Sequence, residues 1–245
     1  TDPAILVVAG PGTGKTRSLT CRIADMILRR GLPARHLLAV TFTHQAAEEM
    51  SRRLEQMTPE ASHVTVCTFH RLCLTLLQEK KAEPFSLIDD DAARHLVGDA
   101  AAMARKDGFR IDGARSRIAG RISAAKQQLA RPGAGPSPAF DDAALAAVFQ
   151  RYQGLLHIQK LADYDDLIVE ACREMNQDPA WRRALQRRFV HVLIDEYQDL
   201  NLGQYLLVRA LVPDTGGGQT LFAIGDPDQS IYGFRGSDRR FFQRF

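Results

Sequence analysis

The chain has 245 residues, 45% of them apolar and 25% charged, with a formal net charge of +3. That composition excludes a disordered or fibrous protein and leaves room for one large domain or two small ones around a buried core. A charge so near zero neither demands nor excludes a nucleic-acid partner, so its distribution matters more than its sum.

No apolar run approaches the roughly 20 residues that cross a bilayer, and no basic-then-apolar leader opens the sequence, so no membrane partner is expected and a cytoplasmic location is the default. Cys21, Cys67, Cys73 and Cys172 lack paired CxxC spacing and are expected as reduced thiols. Cys67, His70 and Cys73 lie close in sequence, but zinc needs a fourth ligand or an open catalytic position.

The apolar run Ala4–Val8 predicts a strand, and Ala9-Gly10-Pro11-Gly12-Thr13-Gly14-Lys15-Thr16 follows it before a segment with helical periodicity to Leu28. Strand, glycine-rich loop and helix together form a phosphate cradle: glycines let successive N–H groups turn inward at a helix N-terminus, where the dipole favours anions. In such a loop Lys15 reaches the β and γ phosphates of ATP and Thr16 offers its hydroxyl to Mg2+. Leu37–Val40 predicts a second strand, and Thr43 caps a helix running to about Met57, with Glu48 and Glu49 in its first turns. Val64–Thr68 predicts a third strand and Phe69 starts another helix. Strand-helix alternation with nearly continuous apolar strands predicts a parallel sheet covered on both faces, with ligands at the carboxyl ends, where Gly10–Thr16, Thr41–Thr43 and Thr68–His70 fall.

From about Glu83 to Arg187 the strand signal gives way to helical periodicity, interrupted by the Pro/Gly-rich stretch Arg131–Pro138. This predicts a helical insertion at 83–187 within a sheet domain made of 1–82 and 188–245. Between Arg105 and Arg131 stand Arg105, Lys106, Arg110, Arg115, Arg117, Arg121, Lys126 and Arg131 against only Asp107 and Asp112. Ile111, Ile118, Ile122, Ala125 and Leu129 share one helical face while Arg117 and Arg121 project from another, as a solvated face or as phosphate contacts.

Strand character returns at Phe189–Ile194 and runs into Asp195-Glu196. Adjacent carboxylates at the end of a buried strand require a neutralising cation. Asp195 is expected to hold Mg2+ through its water shell, and Glu196 to orient and deprotonate an attacking water. Leu202–Val212 predicts a helix and Thr220–Ile224 a strand, after which Gln229 is placed to hydrogen-bond a γ phosphate. Tyr232 and Phe234 beside Arg235 offer a platform for stacked bases, or core and turn packing.

Taken together, AGPGTGKT, TFTHQAAEEM, CTFHRLC, LADYDDLI, LIDEYQDLN and IGDPDQSIYGFRGSD resemble, in order and spacing, the motifs of the UvrD/Rep-like superfamily 1 DNA helicases. The resemblance implies an α/β fold: a RecA-like P-loop NTPase with a parallel sheet flanked by helices, interrupted by an all-helical inserted subdomain lying over DNA. It implies ATP and Mg2+ as cofactors, with Lys15, Thr16, Asp195, Glu196 and Gln229 as ATPase residues and Arg17 packing against the adenine. Phe42, Thr43, His70, Tyr232, Phe234 and Arg235 match positions that contact single-stranded DNA or couple it to ATP, and Arg117, Arg121 and Lys126 become candidate backbone contacts. The implied partners are single-stranded DNA, single-strand/duplex junctions and a second RecA-like domain; the implied activity is 3′ to 5′ translocation and unwinding.

Three departures stand out. His44-Gln45 replaces the usual Asn-Lys, and Phe234 replaces a common Trp. The family's upstream glutamine motif and its second motor domain are not within these 245 residues, so slow hydrolysis without unwinding is expected of the chain alone. Other readings are the helicase part of a nuclease-helicase machine, an ATP-responsive DNA-binding module without unwinding, and a P-loop small-molecule kinase, against which DEYQD followed by GDPDQSIYGFRG argues.

Overall fold

The computed structural model describes residues 3–80, 84–129, 143–213, 218–229, 239–243 and 245. In chain order the elements are β1 (Ala4–Val8), α1 (Lys15–Leu28), β2 (Leu37–Thr41), α2 (His44–Met57), β3 (Thr65–Thr68), α3 (Phe69–Lys80), β4 (Ser86–Leu87), α4 (Asp90–Lys106), α5 (Arg115–Gln127), α6 (Ala143–Ile158), β5 (Leu161–Ala162), α7 (Tyr164–Gln177), α8 (Pro179–Arg188), β6 (His191–Ile194), α9 (Leu202–Leu211), β7 (Thr220–Gly225) and α10 (Arg239–Gln243). The chain divides into two compact units, Thr1–Leu72 with Cys172–Phe245, and Cys73–Ala171.

In the first unit five strands form a parallel sheet in the order β1-β7-β6-β2-β3. Parallel strands joined by crossover helices are buried on both faces and so read as unbroken apolar runs; β2, Leu-Leu-Ala-Val-Thr, is buried at every position. Leu19 and Ile23 of α1 and Met50 and Leu54 of α2 pack on Leu37, Ala39, Leu193 and Ile224, all within 1% of full burial. Burying one such side chain contributes about 1.5–3 kcal/mol. The register aligns Ile194, the last residue of β6, with Val40 and with Ala223, so β2 and β7 run on past it to Thr41 and Gly225.

Local chemistry fixes the helix starts. Thr43 Oγ1 accepts the Ala46 N–H at 3.1 Å, the expected cap of α2, although Glu48 and Glu49 lie beyond the first turn. Asn201 and Gln204 form a reciprocal capping box at α9.

In the second unit Val97, Ala100, Ala101 and Ala104 of α4 face Leu145, Val148, Phe149 and Tyr152 of α6, with Ile118, Ile122 and Ala125 of α5 completing the core. The alanines let α4 and α6 approach closely. Ile111 and Leu129, expected on the same α5 face, lie outside the helix and are only half-buried.

Two features differ from the sequence expectation. The insertion is not wholly helical, because Ser86-Leu87 and Leu161-Ala162 pair as two short parallel strands. The units also divide at Cys73 and Ala171 rather than at 83 and 187, and α8 belongs with the sheet: Gln186 Nε2 donates to the Ala210 carbonyl at 2.7 Å, and His36 Nδ1 lies 3.1 Å from the Arg188 carbonyl. Helical periodicity identifies a helix but not the core it joins. The Arg131–Pro138 break lies outside the described residues. Among the described residues no helix is long and apolar enough to cross a membrane.

Candidate active site

The loop between β1 and α1 turns on two glycines in the left-handed region, Gly12 at φ 70° and Gly14 at φ 86°, where a side chain would be strained. Gly10 accepts the Thr13 hydroxyl through its carbonyl at 2.8 Å, which tightens the turn. Lys15 and Thr16 open α1, so both side chains leave the first helical turn beside the orphan N–H groups. Arg17 is exposed on the next position of the same turn.

β7 separates β1 from β6, yet the start of α1 reaches the carboxyl end of β6. Thr16 Oγ1 lies 3.2 Å from Asp195 Oδ2, and Lys15 Nζ lies 2.9 Å from Glu196 Oε2. The lysine contact is an ion pair without hydrogen-bond alignment: Nζ is buried and has no hydrogen-bond partner among the described residues. Burial pushes the Asp195 carboxyl above its ordinary range, and neighbouring Glu196 pushes it further. Asp195 Oδ1 accepts the Glu196 N–H at 3.0 Å, and Glu196 itself adopts φ 51°, ψ 44°, a left-handed conformation that is costly for a residue with a Cβ.

Past β7, Gln229 Nε2 donates to Asp226 Oδ2, and the Asp228 N–H donates to Asp226 Oδ1 at 3.0 Å. The Gln229 hydrogen bond holds the Asp226 carboxyl below its ordinary range. Gln198, which the sequence reading passed over, is 2% exposed and bonds both Glu196 and the Asp226 N–H. Its signal was its place three residues beyond Asp195.

A second group of residues gathers at the ends of β2 and β3. Phe42 is half-buried and meets Phe69 edge to face at 5.8 Å between ring centroids. Thr43 spends its hydroxyl on the α2 cap. His70 is pushed below its ordinary range, first by burial and then by His44. An open groove of about 350 Å³ beside them is lined by His44, Ser51, Arg52, Cys67, Thr68 and Arg71, among others. Arg52 and Arg71 were missed in the sequence: Arg52 lies two turns along the α2 face that carries His44 and Glu48, and the two cations share the groove with the carboxylates of Glu48 and Glu55. Burial pushes the Cys67 thiol up to about 12, so it stays protonated.

In the helical unit Arg117 and Arg121 are exposed along α5. Lys126, expected beside them, is 1% exposed and points the other way, with Nζ 2.6 Å from Asp163 Oδ2 and 2.7 Å from Asp166 Oδ1. It is a buried counter-ion and cannot reach a phosphate backbone. Arg105 bonds the Ile111 carbonyl and Arg110 lies 3.2 Å from Asp112, so the basic stretch is partly consumed internally. Tyr232, Phe234 and Arg235 lie outside the described residues.

Two lengths of chain far apart in sequence thus meet as a glycine cradle, a buried lysine and paired carboxylates at the ends of a parallel sheet. The family model of the UvrD/REP helicase N-terminal domain matches residues 1–245. The chain belongs to this family. The ATP-dependent DNA helicase UvrD1 of Mycobacterium tuberculosis is 39% identical over 258 residues, an alignment covering 98% of the chain and 33% of that protein. The ATP-dependent DNA helicase PcrA of Bacillus subtilis is 35% identical over 246 residues, covering 97% of the chain and 33% of the relative, and PcrA of Staphylococcus epidermidis is 33% identical with the same coverage. The chain therefore spans about a third of the length of these curated relatives. Its five-stranded parallel sheet flanked by helices is the RecA-like arrangement of the UvrD/REP N-terminal domain.

Proposed function

We propose that the chain is the ATP-binding motor part of a DNA helicase, whose complete form couples ATP hydrolysis to translocation on single-stranded DNA. The observation that carries this reading is Lys15: a buried ammonium, set in a glycine cradle at a helix N-terminus, facing a carboxylate but lacking an aligned acceptor. A group so placed is matched by a polyphosphate. The chemistry of the donor set fits Mg2+ as well, because the Thr16 hydroxyl and the Asp195 carboxylate converge and two adjacent carboxylates need a cation. Thr16 and Asp195 would hold Mg2+, which would supply charge neutralisation for the phosphates.

Lys15 then transfers from Glu196 to the β and γ phosphates. Glu196, released from its ion pair, takes a proton from the attacking water. Gln229 hydrogen-bonds the γ phosphate and reports its loss, while Arg17 lies against the base. Single-stranded DNA runs past Phe42, Thr43, His70, Arg52 and Arg71, with Tyr232, Phe234 and Arg235 as a stacking platform and Arg117 and Arg121 as backbone contacts of the helical unit. The sheet unit and the helical unit act as motor domain and inserted subdomain. Polarity of 3′ to 5′, junction binding, a second RecA-like domain and a cytoplasmic location, where ATP and DNA are both found, belong to the same reading.

The test is anisotropy of a labelled oligo-dT strand, against a duplex of equal length, titrated with the chain at two salt concentrations with and without a Mg-bound non-hydrolysable ATP analogue. Single-strand preference that weakens with salt and shifts with nucleotide is the expected result. Nucleotide binding with no response to either DNA would leave an ATPase or kinase and remove the helicase reading.

A further inference from the structure

We propose that Gln198 is a positioning residue that holds the general base Glu196 in place and ties it to the strand carrying Gln229. The inference rests on the ATPase reading above. Gln198 sits in the short turn after β6, and its amide spans two adjacent strands. Nε2 donates to Glu196 Oε2 at 3.0 Å and to Asp199 Oδ2 at 3.1 Å, while Oε1 accepts the Asp226 N–H at 2.9 Å. The partners fix the amide orientation without ambiguity, since carboxylates only accept and a backbone N–H only donates.

The path does not end there. Asp226 Oδ2 receives Gln229 Nε2, so one chain of hydrogen bonds runs from Glu196 through Gln198 and Asp226 to Gln229. Space for it is kept by Gly225: a Cβ there would stand 2.4 Å from Gln198 Oε1, with Phe242 and the Tyr197 backbone closing the other sides at 3.0 and 3.2 Å. The glycine has an ordinary backbone conformation, so its missing side chain is explained by these close approaches, of which Gln198 Oε1 is the nearest.

The need for such a holder follows from the ion pair at the loop. Lys15 and Gln198 both engage Glu196 through the same Oε2. Once Lys15 moves to phosphate, Gln198 is the remaining hydrogen-bond partner of that carboxylate among the described residues, and Glu196 stands on a left-handed backbone that does not by itself prefer this geometry. A neutral amide suits the task, because a second cation would weaken the base it holds. A catalytic group displaced by about 1 Å can lose on the order of 100-fold in rate.

The experiment compares wild type, Gln198→Leu, Gly225→Ala and the double variant of the 245-residue chain for affinity to Mg-AMPPNP, affinity to Mg-ADP-aluminium fluoride and single-turnover hydrolysis of labelled ATP. The expected result is AMPPNP affinity within about threefold of wild type in all four. Affinity for the transition-state mimic and the single-turnover rate should each fall about tenfold or more in either single variant, and the double should fall no further. Gly225→Ala carries the test if Gln198→Leu does not fold. Unchanged preference for the mimic in a folded variant overturns the role of Gln198, as do additive losses or a loss confined to thermal stability. Failure of wild type to bind either nucleotide, or to prefer the mimic, overturns instead the ATPase reading beneath it.

Discussion

Among the described residues each unit holds a lysine whose ammonium is shut away from water, and the two are handled in opposite ways. Lys126 in the helical unit is 1% exposed and saturated: Asp163 and Asp166 both lie within 2.7 Å, Asp163 also accepts the Tyr152 hydroxyl at 2.7 Å, and Asp163 and Asp166 exchange side-chain-to-backbone hydrogen bonds. Lys15 in the sheet unit is almost as enclosed, yet it meets one carboxylate in an ion pair and has no aligned acceptor among the described residues. Burial of an ammonium is costly in either place. A cation whose geometry is completed by its own chain is structural; one left incomplete is poised for something that arrives from outside.

The larger effect is expected at Lys126. Removing one partner of a buried pair leaves the other charge uncompensated, a cost of about 3–5 kcal/mol. Lys126→Met is therefore expected to lower the melting temperature of the helical unit steeply while leaving nucleotide affinity of the folded fraction unchanged. Thermal unfolding with and without Mg-AMPPNP measures both, and a variant that melts like wild type would return Lys126 to the surface and to the DNA.

Lys15→Ala reverses that pattern. Charge-assisted hydrogen bonds to phosphate are worth about 1.5–3 kcal/mol, so nucleotide affinity is expected to fall by about 10- to 150-fold with little change in stability of the nucleotide-free chain. Mant-nucleotide titration beside a thermal melt separates the two. If the melt collapses and the affinity does not, the Lys15–Glu196 pair is a fold element rather than a resting state.

How far these roles were legible depends on whether neighbours in sequence carry them. The phosphate loop, the Thr43 cap and the Asp195-Glu196 strand end are local: residue types and spacing contain the physics, and the resemblance to the helicase motifs rests on the same stretches. Lys126 was misread because the resemblance and the basic stretch group it with Arg117 and Arg121, although its i+4 and i+8 spacing from Ile122 and Ile118 sets it on the buried face of α5; its partners, Asp163 and Asp166, are 37 and 40 positions away, a separation no helical wheel displays. The association of α8 with the sheet, the β4-β5 pair, and the approach of Arg71 to the α2 groove are likewise tertiary facts. Gln198 is an intermediate case, visible in the motif but meaningless until Gly225 and Asp226 are seen across the next strand.

The smallest effect sharpens the description of the saturated lysine. Asp163, Asp165 and Asp166 crowd around one cation, and burial pushes Asp166 up to about 6 although Lys126 opposes the shift, while Asp163 is held below its ordinary range by Lys126 despite its own burial. For Asp166 the folded state binds the proton more tightly than the unfolded chain, whose carboxyl titrates near 3.9. Its contribution to stability is thus fully present below about pH 4, is lost as pH rises towards about 6, and is flat above that. Burial pushes Asp165 up as well, so it adds to the same trend. Asp166→Asn cannot titrate, so the melting temperature of the variant minus that of wild type should climb between pH 4 and pH 6 and level off by pH 7, by a few degrees. The variant also presents an amide where Asp163 N–H needs an acceptor, but that offset is constant with pH and leaves the slope intact. A flat difference would mean that Asp166 titrates alike in the folded and unfolded chain, its ion pair with Lys126 offsetting the burial in full.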